Sequence, residues 1–242
     1  MMKFEICDMH GHFLPNMDDG SGSVKESLLM LKTAAEQGVS RMFATPHYYP
    51  IESVEEFLSR RAESAQRLQK AMAAHKDRYP QICLGAEVAY RRGLGNADGL
   101  ENLCLGNSKY LLLELPFAPW QPSMFRDLSS LVNVRGLIPV IAHIERYMHM
   151  QTQANLNRLL QQDVLLQMNT SALLSWSSRG RARRLLKSGL IDLLGSDCHN
   201  METRKPDLGL AVAGLTRRSM GNVCARLAEL STDIFREASE NK

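Results

Sequence analysis

The sequence predicts a parallel α/β fold, on three observations. Seven short apolar runs alternate with longer helical patterns, as strands and helices do around a parallel sheet. Each run ends in a side chain able to bind a metal or to hydrogen-bond. The 242 residues, 44% hydrophobic and 23% charged, supply enough apolar material for one large core. No low-complexity linker or internal repeat divides them, so residues 1–242 are expected to form a single domain.

The first run, KFEICDMH, ends in His10, and one glycine separates that residue from His12. In an extended segment residues i and i+2 project to the same face, so the two imidazoles would leave the strand end together, as a chelate requires. The paired aspartates Asp18 and Asp19 follow. The second run, RMFATPH, ends in His47, and an amphipathic helix, VEEFLSRRAESAQRLQKAMAAH, comes after it with apolar residues at helical intervals. Then come ICLGAEV with Glu87, YLLLELP with Glu114, LIPVIAH with His143, VLLQMN with Asn169, and IDLLGSDCH with Asp197 and His199. In a barrel of parallel strands the C-terminal ends meet at one rim, so these residues are expected to share a pocket. His75, at a helix end, and His149, in a polar loop, receive no role.

Asp19, Glu87, Glu114 and Asp197 cannot all be ionised in one pocket without cations. Two such charges ~4 Å apart repel by ~4 kcal/mol at an effective dielectric near ~20. With no thiolate in the set, imidazole and carboxylate ligands favour zinc, manganese, iron or magnesium, and the ligands are too many for one tetrahedral ion. Two or three ions are implied. Arg146 lies three residues beyond His143, and Arg204 lies in the loop after His199. Their forked donors match phosphate oxygens, and a divalent cluster suits phosphoryl transfer, so a metal-dependent phosphoesterase is expected.

Other classes are disfavoured. The net charge of +3 arises from 29 basic and 26 acidic residues that read as spread along the chain, without the basic clusters of nucleic-acid binders. Five cysteines, with no C-x-x-C pair, suggest a reduced, cytoplasmic protein. No stretch resembles a signal peptide or a membrane span, so neither secretion nor membrane insertion is expected.

In order and separation, DMHGHFLPNMDDGS, TPHYYP, GAEVAY, LLLELP, AHIERY and SDCHN resemble the polymerase-and-histidinol-phosphatase (PHP) superfamily. Within it they are similar to the bacterial metal-dependent protein-tyrosine phosphatases of capsule and exopolysaccharide loci, over residues 5 to 235 or so. The resemblance implies a distorted seven-stranded (β/α) barrel holding three divalent metal ions, manganese foremost, with iron, zinc or magnesium as alternatives. It implies that His10, His12, Glu87 and Asp197 hold one ion, Glu87, Glu114 and His143 a second, and Asp19, His47 and His199 a third. Arg146 and Arg204 match the positions that grip the substrate phosphate. Asp8 either orients His10 or closes the strand. The segment TSALLSWSSRGRARRLLKSG is shorter than its family counterpart, and the loop after TPHYYP carries no recognition signature.

The expected reaction is hydrolysis of phosphotyrosine by a metal-bridging hydroxide, with no general acid assigned, and the partner implied is the tyrosine-rich tail of a bacterial tyrosine kinase. Two alternatives stand beside it: a PHP phosphatase acting on a small ester such as histidinol phosphate, and a metal-containing regulatory protein without catalysis. The C-x5-R motif of the unrelated cysteine-dependent phosphatases occurs once, at Cys198 to Arg204. Its intervening HNMET has no glycine to shape a phosphate cradle, and Cys198 would point away from the face shared by Asp197 and His199.

Overall fold

The computed structural model describes residues 4–73 and 78–240. Among them, β1 (Arg41–Ala44) and β3 (Gln81–Leu84) form a two-stranded sheet. A six-stranded sheet takes the order β2 (His47–Tyr48), β4 (Glu87–Ala89), β5 (Tyr110–Glu114), β6 (Ile138–Ile141), β7 (Leu165–Asn169) and β8 (Leu193–Gly195). Every pairing is parallel.

Among the described residues eight short strands thus stand where seven longer ones were expected. Two of the expected strands are each interrupted. The second breaks at Thr45–Pro46, where proline has no N–H to give, and the third breaks at Gly85–Ala86. The first run is not a regular strand either: Asp8 and Gly11 make only isolated bridges, to Met42 and Cys198. Its backbone nevertheless bonds on both flanks. Asp8 N donates to Arg41 O and Phe43 N to Asp8 O (3.0 and 2.8 Å), while Asp197 N donates to His10 O and His12 N to Cys198 O (both 2.8 Å). A segment that reaches both β1 and the end of β8 requires the sheet between them to curl.

Helices cover the connections. Ser23 caps α1 (Val24–Glu36) by accepting from Glu26 N. A reciprocal Ser53–Glu56 capping box starts α2 (Val54–Met72), whose Phe57, Ala65 and Leu68 are buried. The expected α2 ran on to His75, which lies outside the described residues. Pro122 opens α3 (Pro122–Asn133), between β5 and β6. Then come α4 (Gln153–Leu159), α5 (Ser171–Leu174), α6 (Arg179–Lys187), α7 (Leu208–Thr216) and α8 (Gly221–Ser239). A small apolar cluster that includes Met9, Phe43, Leu112, Val140 and Leu193 packs against Ile234 and Phe235 of α8. Leu112 lies two residues before Glu114 on β5, so the two share a face and apolar packing floors the site.

The even spread of charge does not hold in three dimensions. Arg179, Arg181, Arg183, Arg184 and Lys187 gather on α6, and Arg217 and Arg218 directly follow α7. Among the described residues no helix is long and apolar enough to cross a membrane.

Candidate metal centre

All nine expected ligands meet at the C-terminal ends of the strands. His47 and Glu87 are register partners on β2 and β4, which brings their side chains out side by side. Glu114 ends β5. His143 and Asp197 lie two residues past β6 and β8, and both take left-handed backbone (φ 33° and 54°), a conformation that non-glycine residues adopt at a cost. His10 and His12 come from the segment between β1 and β8. Gly195 lets that segment approach, since a Cβ there would fall 2.5 Å from His10 Cβ.

Glu87 is the hub. Its fully buried carboxylate receives His10 Nε2 (3.0 Å), His12 Nε2 (3.2 Å) and His47 Nδ1 (3.1 Å) at one oxygen and His143 Nε2 (2.9 Å) at the other. Asp197 Oδ1 lies 3.5 Å from both His10 Nε2 and His12 Nε2. Asp19 Oδ1 lies 3.5 Å from His47 Nε2 and 3.4 Å from His199 Nε2. Glu114 Oε1 is 3.5 Å from His143 Nε2.

The tautomers suit cations. His12 Nδ1 meets Asp18 Oδ2 at 2.7 Å and His199 Nδ1 meets the carbonyl of Asp197 at 3.0 Å, so each ring gives its N–H away from the centre and turns Nε2 inward. His10 Nδ1 faces Gln167 Oε1 at 3.4 Å, and His10 Nε2 then stands 3.0 Å from His12 Nε2. Two ring nitrogens that close need a proton or a cation between them. His47 Nδ1 and His199 Nε2 are buried, and their contacts to Glu87 (3.1 Å) and Asp19 (3.4 Å) lack hydrogen-bond geometry.

The proton affinities show that the centre draws positive charge. Burial alone would lower His12, but Asp18 and Glu87 overcome it and hold the imidazole up at about 10. His143 is likewise pushed down by burial yet held up at about 9 by Glu114 and Glu87. Burial would raise Glu87, and its histidines instead keep it well below the carboxylate range. His199 falls to about 4 through burial and repulsion from His12, which leaves its Nε2 lone pair free at neutral pH. Three groups of ligand atoms each converge within 4.8 Å: His12, Asp19, His47 and His199; His10, His12 and Asp197; and His47, Glu87 and Glu114. This all-nitrogen-and-oxygen donor set, with buried lone pairs aimed inward, fits divalent cations.

Arg146 and Arg204 stand half-exposed at the mouth. Both touch the same atom, Asp197 Oδ2, through Nη2 at 2.8 and 2.6 Å. Asn169 Nδ2 donates to that oxygen too (2.7 Å).

A sequence profile described as "Capsular polysaccharide synthesis, CpsB/CapC" matches residues 6–233. The chain belongs to the CpsB/CapC family. It is 31% identical over 208 residues to the tyrosine-protein phosphatase YwqE of Bacillus subtilis, covering 82% of this chain and 79% of that one. It is 28% identical over 223 residues to the tyrosine-protein phosphatase CpsB of Streptococcus agalactiae serotype III, covering 85% and 88%. A solved structure matches with a TM-score of 0.83 at 26% identity, over 98% of this chain and 96% of that one. It is described as belonging to YwqE from B. subtilis and CpsB from Streptococcus pneumoniae, unique metal-dependent tyrosine phosphatases.

Sequence reasoning missed two residues of this CpsB/CapC site. Asp18 accepts from His12 and from the backbone N–H groups of His47 and Gly20 (2.8 and 2.9 Å). Gln167 Oε1 serves His10 and accepts from His143 N (2.7 Å). A signal existed for each. Asp18 adjoins Asp19, and Gln167 sits two before Asn169, on the same strand face. Of the two readings of Asp8, the structure favours the closing one: its Oδ1 accepts from the backbone N–H of Ser196 (2.8 Å) and of His10 (3.4 Å), not from an imidazole. His149 is exposed. Cys198 is buried, and burial with the nearby Asp8 and Asp197 charges pushes its thiol far above the usual range, so no thiolate nucleophile is available there.

Behind the site, burial and the charges of Asp8 and Asp197 push Asp207 up to about 7, although Thr170 Oγ1 donates to it. An unfolded aspartate titrates near ~3.9. The folded state therefore binds the proton more tightly, and this contribution to stability is complete below about 4 and lost as pH rises through about 7. The slope from one proton is at most about 1.4 kcal/mol per pH unit. Asp207→Asn is expected to flatten the dependence of the urea midpoint on pH across that window. Superimposable profiles for the two proteins would exclude this source.

Proposed function

We propose that the chain is a metal-dependent protein-tyrosine phosphatase of capsular or exopolysaccharide synthesis, acting on the phosphotyrosine tail of a bacterial tyrosine kinase. The observation that carries the reading is the convergence of nine nitrogen and oxygen ligand residues, with Glu87 at their hub, beneath two guanidinium groups. Residues 1–242 act as one domain, in keeping with a family match that runs from 6 to 233. Hydrogen bonds from the first segment to both flanks support a distorted barrel in which that segment is the seventh stave.

Three ions suit the ligand set, manganese first. His10, His12, Glu87 and Asp197 would hold one, Glu87, Glu114 and His143 a second, and Asp19, His47 and His199 a third. The groups of converging atoms also put His12 beside the third set and His47 beside the second, so these two imidazoles stand at the borders between sites. Bound divalent ions would supply Lewis acidity and a water of lowered pKa. The chain's own residues do the rest. Arg146 and Arg204 each use one N–H on Asp197 and present the others to the phosphoryl oxygens at the mouth. The phenolate leaving group, with a pKa of about 10, departs with modest help. Asp18 fixes His12 with Nε2 inward, so Asp18→Asn is expected to weaken metal affinity about 10- to 100-fold, as read by metal titration of the apo-protein. Unchanged affinity would leave Asp18 with only its backbone bonds.

An aromatic pair favours an aryl ester over a small aliphatic one. Tyr49, just past β2, stacks on His47, and Phe117, three residues past Glu114, stacks on His143, with centroids 5.4 and 5.9 Å apart. Both are about half exposed. β2 and β5 flank β4, so the two rings follow strands on either side of the one that carries Glu87. The test compares kcat and KM on a phosphotyrosine peptide and on histidinol phosphate, with manganese present. The peptide is expected to be preferred, and Phe117→Ala to raise its KM roughly 2- to 12-fold without changing the rate on the small ester. Preference for histidinol phosphate would replace this reading with the small-ester phosphatase, and no turnover of either with metal bound would favour a regulatory protein.

A further inference from the structure

We propose that the cationic face of α6 and the end of α7, edged by Trp176, docks on an anionic lipid bilayer. Arg179, Arg181, Arg183, Arg184 and Lys187 of α6 lie beside Arg217 and Arg218, and among the described residues none of the seven has a carboxylate within ion-pair distance. The arrangement works against the helix. Arg179, Arg183 and Lys187 repel at i, i+4 spacing, and the first turn carries arginine and no acidic residue at the positive end of the helix dipole. An external anion would relieve both.

The distribution selects a broad, flat partner. At about 100° per residue the five cations of α6 fan over about 200° of arc, and the buried Ala182 and Leu186 fall in the remainder. Arg183, Lys187 and Arg184 fall within the middle ~100° of that fan with Arg218 beside them, so a charged plane can meet these four cations together. Apolar side chains stand at the same place. Trp176 is 82% exposed, and Leu174 and Leu210 are also exposed, the two leucines sharing a hollow of about 140 Å³ with Arg179, Arg183 and Arg218. A second hollow of about 260 Å³ lies among Arg183, Arg184, Lys187 and Arg218, open to a phosphate headgroup. Exposed tryptophan and leucine beside arginine are the side chains that settle at the headgroup level of a bilayer. Residues 170–178 follow the C-terminal end of β7, so this surface adjoins the rim that carries the candidate metal centre.

The experiment is co-sedimentation of the whole protein with vesicles of phosphatidylcholine containing phosphatidylglycerol, against vesicles of phosphatidylcholine alone. Binding to the anionic vesicles only, weakening with added salt, is expected. Changing Arg183, Arg184 and Arg218 together to glutamine should lower vesicle affinity about a hundredfold, about fivefold for each cation, and lysine at the same positions should restore it. The chain has two tryptophans, and Trp120 is buried, so a blue shift of emission on vesicle addition reports Trp176. Trp176→Ala should abolish the shift and weaken binding. Hydrolysis of a soluble phosphopeptide should be unchanged in all these variants, which also shows that they fold. The proposal is overturned by absence from the vesicle pellet, by wild-type affinity in the glutamine variant, or by binding to polyglutamate or duplex DNA with no anionic-vesicle binding.

Discussion

Glu87→Gln is expected to lose metal from two positions at once and to lower phosphopeptide turnover by a factor of about a thousand or more. Glutamine keeps the volume but removes the charge that faces four imidazoles, and its amide N–H groups would be aimed at ring nitrogens that have to coordinate cations. A divalent centre contributes several kcal/mol of transition-state stabilisation, which sets the size of the loss. Thermal stability should follow. Ions that bind only the folded chain stabilise it, so chelation should lower the melting temperature of the wild type and have less effect on Glu87→Gln. Cys198→Ser is the control, because a buried thiol held far above neutral pH can serve neither as ligand nor as nucleophile there. Elemental analysis and phosphopeptide kinetics on the same preparations decide the matter. Wild-type metal content and rate in Glu87→Gln, or loss of activity in Cys198→Ser, would overturn the metallophosphatase.

Most of the candidate ligands were legible because they stand at or just past the end of an apolar run, where chain order and parallel topology bring distant residues together without any need to know the packing; Asp19, in the loop after His12, rested on the paired aspartates. Their supports were harder to see. Asp18 and Gln167 act by accepting from ring and backbone N–H groups, and nothing in residue type separates an aspartate that orients an imidazole from one that binds an ion. The regular strands of the described residues differ in number from the expected runs for a local reason: Thr45–Pro46 and Gly85–Ala86 interrupt runs whose hydropathy is continuous. The charge reading failed for a different one. RGRARR looks ordinary among 29 basic residues along a line, but helical winding and the neighbouring end of α7 turn it into a face.

The two arginines separate a phosphate grip from simple neutralisation of Asp197. Both guanidinium groups lean on Asp197 Oδ2, and His10 and His12, joined by Arg204, hold that carboxylate ionised against its burial. If neutralising Asp197 were their whole task, lysine would perform it, since the charge would remain. A grip on phosphate instead needs the planar fork, which delivers parallel N–H bonds to two oxygens and which an ammonium group cannot reproduce. Arg146→Lys and Arg204→Lys are therefore each expected to lower kcat/KM about 10- to 150-fold, the worth of one hydrogen bond between charged groups, with metal content at the wild-type level. The double variant should fall short of the product of the two, because both side chains share Asp197 and would share one phosphoryl group. Wild-type kinetics in both single variants would assign the arginines to Asp197 alone, and loss of metal in either would make them supports of the ligand set instead of contacts to substrate.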